Sequence, residues 1–384
     1  MESPFEYSTY VTDINLIGRT KEISTLCRII KERKNILLYG APKIGKQSII
    51  NNTFLKLRQE QYPYAYIEYN LFNIRCIEAL LLKFTNLLFS KFAKNQLEWY
   101  SYQKKFIPSA PYEIEQYKEG KIRFTYKSKD LLNSVQIDEL LMLPEKFALE
   151  TGKHIILYFR NFQDTLLLDD SRHFFKITEN VWSKNKYVNY IITGEHTNAM
   201  KYIFSIQKHY YGFAEEINVN PINERTFSDY LIKGYLKAGK VIQPEDALYM
   251  YKIVGCNPFY AQQLATLCYD ITKGYVNKHV IEEGIQRLIN IYEYHFHFII
   301  SELSKHQIRF LQAIMSGVTR FSSADVLEKY KLNSSANVNR VKEALVKKEI
   351  ITFVNKKGVF LDPLLELWLK RYFFIKNGFE KTIY

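Results

Sequence analysis

The sequence is short of cysteine, glycine and proline and has no long apolar run, and each shortage removes a class of protein. Its four cysteines, Cys27, Cys76, Cys256 and Cys268, form no CxxC pair and have no histidine at metal-ligand spacing, so isolated core thiols are expected rather than a zinc site or a disulfide framework. Only 15 glycines and 10 prolines in 384 residues exclude collagen-like and long disordered tracts. The strongest apolar runs, such as Ile155 to Phe159, fall far below the roughly 18 residues of a membrane span. The opening MESPFEYSTYVTD has no basic region followed by an apolar stretch, so no secretory signal is read and a cytoplasmic location is expected. What the chain does have is 47% hydrophobic and 24% charged residues, the balance of a globular protein long enough for about two or three domains. Its net charge of +13 is uneven: from Ser304 to Tyr384, 15 basic residues face 7 acidic ones. A local excess of this kind can serve phosphate binding, where a uniform one only promotes solubility.

Apolar runs at Asn35–Tyr39, Tyr64–Tyr69, His154–Phe159 and Val188–Thr193 alternate with helical stretches, including 48–57, Ile77–Phe92 and Leu140–Glu150, which predicts an α/β domain with a parallel sheet. Alternation over Tyr112–Tyr126 around Glu119-Gly120 predicts an inserted β-hairpin. From Glu224 strand signals stop, and helices are expected over Arg225–Leu236, Pro244–Val254, Pro258–Tyr269 and Asn277–Phe298. After Ser304, helices at His306–Met315, Ala324–Tyr330 and Ala336–Lys347 precede two short strands, Ile350–Val354 and Val359–Leu361, flanking Asn355-Lys356-Lys357-Gly358. That is the pattern of a winged helix-turn-helix. The expected divisions are 1–221, with an insertion at about 73–150, then 222–300 and 301–384.

Gly40-Ala41-Pro42-Lys43-Ile44-Gly45-Lys46-Gln47-Ser48 matches the first seven positions of GxxxxGK[ST] between a predicted strand and a predicted helix, as a phosphate-binding loop requires. Gly40 and Gly45 let backbone N–H groups turn inward, the helix presents its positive end, and Lys46 offers a cation to phosphate. The hydroxyl that would ligate Mg²⁺ is replaced by Gln47, and Ser48 lies one residue, about 100°, too far round the helix. A P-loop hydrolase also needs acids after a second apolar strand, whereas His154–Phe159 is followed by Arg160-Asn161-Phe162-Gln163. Asp164, Asp169 and Asp170 are read as a solvated loop.

With Leu16-Ile17-Gly18-Arg19-Thr20-Lys21-Glu22 ahead of this loop, Ile191-Ile192-Thr193-Gly194 on a later strand, Gly255-Cys256-Asn257-Pro258-Phe259-Tyr260 among the helices and Asp362-Pro363-Leu364-Leu365-Glu366-Leu367-Trp368 near the end, the chain resembles the archaeal-type ATPases. These are AAA+/STAND-like P-loop NTPases with a helical lid and a C-terminal winged helix. The resemblance implies an adenine pocket around Ile17, Gly18 and Arg19, phosphate held by Lys46, and Pro258 closing over the base. The family's Asp-Glu-Phe-Gln corresponds to Arg160-Asn161-Phe162-Gln163, its Gly-Lys-Thr to Gly45-Lys46-Gln47, the Gly-Ser of its sensing strand to Gly194-Glu195 after Thr193, and the first Gly of its Gly-x-Pro to Cys256. The function expected is ATP or ADP binding with hydrolysis absent or very slow, as a switch or scaffold, with Mg²⁺ undecided. An active ATPase with displaced metal ligands, and a nucleotide-free adaptor for DNA or protein, remain open.

Duplex DNA is a candidate partner through the winged helix, whose third predicted helix carries Asn337, Asn339 and Arg340 and whose wing carries Lys356 and Lys357. Asn and Arg can read base edges bidentately, and lysines reach phosphates. The alternative is a solvated basic surface on a domain packed against the core. Trp368, Tyr372, Phe373 and Phe374 fall at helical spacing and are read as packing residues, and His295 and His297 as core or interdomain histidines. No metal site and no membrane contact are expected.

Overall fold

The computed structural model describes residues 3–7, 16–117, 120–127, 131–206 and 209–376. Glu119, assigned to the hairpin turn, and most of the N-terminal stretch read for a signal lie outside them. Helix α1 (Thr20–Lys31) leads into β1 (Asn35–Gly40), α2 (Lys46–Gln59) and β2 (Tyr64–Asn70). The insertion follows as α3 (Ile77–Phe92), α4 (Gln96–Phe106), the hairpin β3 (Tyr112–Tyr117) and β4 (Lys121–Tyr126), α5 (Ser134–Leu141) and α6 (Leu143–Thr151). The single helix expected at Leu140–Glu150 is therefore two. Pro144 sits in the first turn of α6, where its missing N–H is harmless, but inside one continuous helix it would remove a hydrogen bond and crowd the preceding turn.

Then come β5 (His154–Arg160), α7 (Ser171–Trp182), β6 (Val188–Thr193), the short α8 (Thr197–Lys201) and β7 (Ala214–Val219). The five strands pair in parallel in the order β2-β5-β6-β1-β7. Residues of β6 are buried throughout and those of β5 nearly so, as strands covered on both faces must be, which is why both were legible as apolar runs. Strand β7, AEEINV, lies at an edge with exposed Glu215 and Glu216 and gave no apolar signal. One face of the sheet packs Ile36, Leu38, Tyr158 and Ile191 against Leu26, Ile30 and Phe54 of α1 and α2. The other packs Leu37, Phe159 and Ile192 against Phe84, Phe147 and Trp182.

His154, at the start of β5, is buried and meets the Tyr62 hydroxyl at Nδ1, 3.1 Å away. Burial pushes its pKa from the ordinary 6.5 down to about 4, so the folded protein holds it neutral. The unfolded chain binds the proton more readily, so the stability this group contributes is full above pH 6.5 and lost as pH falls toward 4. Urea unfolding should show a loss of about 2–3 kcal/mol across that window, and His154→Phe should remove most of this slope.

The C-terminal half runs α9 (Glu224–Lys237), β8 (Val241–Ile242), α10 (Pro244–Ile253), α11 (Pro258–Ile271), β9 (Tyr275–Val276) and α12 (Lys278–Ser301). Strand structure does not stop at Glu224: β8 and β9 pair in parallel, Val241 with Tyr275 and Ile242 with Val276. Two residues are too few to leave a periodicity. The last part is α13 (Lys305–Met315), α14 (Ala324–Lys329), α15 (Ser335–Lys347), an antiparallel pair β10 (Ile351–Val354) and β11 (Lys357–Phe360), and α16 (Pro363–Trp368). The wing turn is tighter than expected. Val354 pairs with Lys357, leaving Asn355 and Lys356 at φ 49° and 66°, the two left-handed positions of a type I′ hairpin. Gly358 is no turn residue; a Cβ there would lie 2.9 Å from the Ile314 side chain.

One apolar cluster runs from Phe5 through α9–α12 to Phe374, with α12 as the shared spine: Phe296 lies tilted against Trp368 with centroids 5.6 Å apart, and Leu288 and Ile300 join Phe310 and Leu365. Trp368 and Phe374 are buried, as their spacing predicted, with Tyr372 and Phe373 half-buried beside them. Of the four cysteines, all free, only Cys27 and Cys268 are core thiols, while Cys76 and Cys256 are half-buried. His295 and His297 are exposed rather than core, with His297 edge-on to Trp368 at 5.0 Å and His295 in an interdomain cleft.

Candidate functional site

The loop after β1 is shaped by two glycines. A Cβ on Gly40 would lie 2.7 Å from the Val219 carbonyl of β7, so only glycine allows that approach. Gly45 caps α2 at φ 99°, and a Cβ there would meet no atom of the described residues within 4 Å. Open space thus stands before the first N–H groups of a 14-residue helix, the arrangement that binds anions. This space belongs to a cavity of about 520 Å³ that gathers Ile17, Arg19, Lys43, Ile44, Gly45, Lys46, Gln47, Ser48 and Pro258. Gly18, Gly40, Ala41 and Pro42 do not line it. Gly18, at φ 58°, lets the chain pass close to Thr226, where a Cβ would lie 3.0 Å from Cγ2. Sequence reasoning missed Glu6, Tyr7, Ile222, Phe259 and Gln262 on the walls. Phe5, buried against Tyr235 of α9, anchors the N-terminal segment there, a placement no local pattern announces.

The cations of the cavity are already engaged. Lys46 is only 3% exposed, and its Nζ donates to the carbonyls of Gly40 and Ala41 and pairs with Glu195 at 3.2 Å. Burial lowers its pKa, and Glu195 works against that shift. Arg19, also buried, donates to Glu22, to the Asn220 carbonyl at 2.7 Å and to the Ile44 carbonyl at 2.9 Å, so it braces the loop from behind.

Where a metal would sit, neutral groups are bonded to one another. The Tyr158 hydroxyl donates to Gln47 Oε1 at 2.7 Å and lies 3.1 Å from Thr193 Oγ1, while Gln47 Nε2 donates to Asn51 Oδ1. Tyr158 was read only as part of an apolar strand. Arg160 and Asn161 do not line the cavity: Arg160 pairs with Glu68 of β2 at 2.8 Å, and Asn161 donates to Asn70 Oδ1. Asp164 is buried rather than solvated, accepting from Asn73 N at 2.8 Å and from Gln163 Nε2. Asp169 and Asp170 are exposed, as expected.

The family described as "Probable winged helix domain" matches residues 294–371. Among solved structures, a Walker-type ATPase of Pyrococcus abyssi superposes with a TM-score of 0.65 at 15% identity, over 96% of this chain and 99% of that one. The ORC2 protein of Aeropyrum pernix in its ADP form gives 0.57 at 11% identity, over 99% and 98%. Its ADPNP-ADP complexes give 0.53 at 13% identity, over 96% and 97%. No curated protein matches the sequence. This is an AAA+ fold with a C-terminal winged helix.

In this AAA+ arrangement helices α9–α12, at the place of the lid that the resemblance implies, and the winged helix both reach the loop after β1. Asn257 donates to the Pro42 carbonyl, and Lys43, at φ 61°, sends its ammonium among Phe259, Tyr260 and Tyr292, with centroids 4.5–5.0 Å away. Lys43 Nζ donates to the Tyr260 hydroxyl, which donates to Asp362 of the winged helix at 2.9 Å. Burial lowers the Lys43 pKa while Asp362 opposes it. Cys256 occupies the left-handed region at φ 54°, which favours glycine, and Gly255 brings the lid so close to Pro363 that a Cβ would lie 2.4 Å from that ring. Tyr260→Phe and Lys43→Met should each cost about 1–2 kcal/mol in urea unfolding, and the double variant clearly less than their sum. Strict additivity would show that the three parts are not tied through this relay.

The winged helix docks by its far end. Glu349 accepts from the N–H groups of Asn198 and Ala199, at 3.0 and 2.7 Å, and Asn198 Nδ2 donates to the carbonyls of Val346 and Ile351. Burial raises the Glu349 pKa against those two backbone bonds. This fixes the C-terminal end of α15 and leaves Asn339, Arg340, Lys356 and Lys357 exposed. Asn337 is the exception: its Nδ2 donates to the Leu332 carbonyl and staples the turn before α15.

Proposed function

We propose that the protein binds an adenine nucleotide, ATP or ADP, in the P-loop cavity, hydrolyses it slowly or not at all, and acts as a nucleotide-dependent switch or scaffold. The observation that carries this reading is an anion-binding helix end with Lys46 beneath it, opening on a cavity walled by Ile17 and by Pro258 and Phe259 of the lid. These residues fit a nucleotide: α2 and the loop N–H groups would hold phosphates, and the apolar walls would hold the base. The relatives whose structures carry ADP or ADPNP support the same ligand class.

The residues at the metal end do not fit Mg²⁺, because Gln47, Tyr158 and Thr193 bond to one another and the positions after β5 are Arg160 and Asn161. A hard divalent ion prefers carboxylate and hydroxyl oxygens with water. Calorimetric titration of the full chain with ATP and ADP, each with and without Mg²⁺, tests this. Binding of either nucleotide that Mg²⁺ changes less than about threefold is expected; absence of heat and of any thermal shift would leave the adaptor reading standing.

A second reading, binding of duplex DNA by the winged helix, is favoured by the docking geometry. The end of α15 that touches the core is its C-terminal one, so the half carrying Asn339 and Arg340 faces outward together with the Lys356 and Lys357 tip of the wing.

A further inference from the structure

Lys46 is as buried as a core residue, and an ammonium in that position needs a counter-charge. Glu195 supplies it, from a half-exposed side chain on an anchored stretch of backbone. Its backbone N–H donates to Gln163 Oε1 at 3.2 Å, Gln163 Nε2 donates to Asp164, and Asp164 accepts from the Asn73 backbone. Gly194 makes this approach feasible, since a Cβ there would lie 2.7 Å from Gln163 Oε1 and 2.4 Å from Met200 Sδ. A buried polar chain therefore fixes the backbone of Glu195, from which the carboxylate reaches the one cation that a P-loop normally presents to the outer phosphates.

We propose that Glu195 is a specificity-determining residue that makes the cavity select nucleoside diphosphates over triphosphates. In a P-loop the backbone N–H groups and helix end serve the inner phosphates, while the lysine and metal serve the outer ones. Here the first half is intact. The second half is cancelled, because Glu195 neutralises Lys46 and the metal end is filled by Gln47 and Tyr158. The other two cations on the walls are engaged elsewhere, since Arg19 is spent on Glu22 and two backbone carbonyls and the Lys43 ammonium lies against lid aromatics and donates to the Tyr260 hydroxyl. A third phosphate would thus meet a carboxylate instead of a counter-charge, whereas two phosphates can be held at the helix end.

This inference rests on the adenine-nucleotide reading, and the experiment separates the two. Full-length protein, Glu195→Gln and Glu195→Ser are titrated at constant ionic strength, without Mg²⁺, with AMP, ADP, ATP and inorganic tripolyphosphate. The native protein should prefer ADP to ATP by about tenfold, and both variants should gain about tenfold or more for ATP and tripolyphosphate, with AMP changed less than about twofold. Serine removes the carboxylate and its reach together, so agreement of the two variants excludes an effect of the amide's own hydrogen bond to Lys46. If the ATP-to-ADP ratio stays fixed, or AMP shifts as much as ATP, Glu195 is only a charge partner and the proposal is wrong while the nucleotide reading stands. If no adenine nucleotide binds any form but tripolyphosphate affinity rises in both variants, Glu195 acts as proposed and the adenine assignment fails. Silence of every form toward tripolyphosphate overturns the proposal.

Discussion

Given ATP and Mg²⁺, the full chain should release phosphate at least about 10⁴-fold more slowly than a P-loop ATPase with its acids and hydroxyl intact. Loss of one preorganised group at a reacting centre costs about 10²–10³ in rate, and here the metal-ligating hydroxyl and the two acids after the second strand are replaced together. Gln47 is tied to Tyr158 and Asn51, and Arg160 to Glu68, so none of these side chains is free to take up the missing role. Release at several turnovers per minute, abolished by Lys46→Ala, would refute this.

The same geometry decides what restoration requires. Gln47→Thr removes the acceptor of the Tyr158 hydroxyl, and Arg160→Asp places a new carboxylate beside Glu68 on the adjacent strand. Like charges on neighbouring strands repel, so Gln47→Thr, Arg160→Asp and Asn161→Glu should gain Mg²⁺-dependent nucleotide affinity only weakly. Adding Glu68→Gln should bring out the gain, by about tenfold. Equal affinity in the triple and quadruple variants would show that Glu68 is not the obstacle.

Binding of duplex DNA, measured on the full chain, should be steep in salt. Lys347, Lys356 and Lys357 are exposed on α15 and the wing, and about three phosphate contacts lower affinity roughly 40-fold between 50 and 200 mM salt through counter-ion release. Lys356→Glu with Lys357→Glu should weaken all sequences alike and flatten that dependence. Arg340→Ala should cost about 1–3 kcal/mol on a preferred site only, because an arginine that reads a guanine edge contributes nothing elsewhere. No shift with DNA at low salt would make the winged helix a docking element, and its basic excess a solvated surface.

The sequence by itself determined the order of the parts. Buried parallel strands announce themselves as continuous apolar runs, which is why β5 and β6 were found nearly to the residue, and the glycine spacing of the P-loop places a helix end because only glycine permits its turns. It also determined what is missing, since Gln47, Arg160 and Asn161 can be read without coordinates.

Partnership was decided only by tertiary structure. Glu195 lies 149 residues from Lys46, Glu68 lies 92 from Arg160 and Asp362 lies 102 from Tyr260, and no local periodicity reports which side chains meet over such separations. Edge strand β7, the paired dipeptides β8 and β9 and the outward face of α15 were settled in the same way, by what packs beside them. Local pattern reflects which face of an element is buried, whereas the charge and hydrogen-bond partners that set this cavity's chemistry come from chain segments brought together by folding.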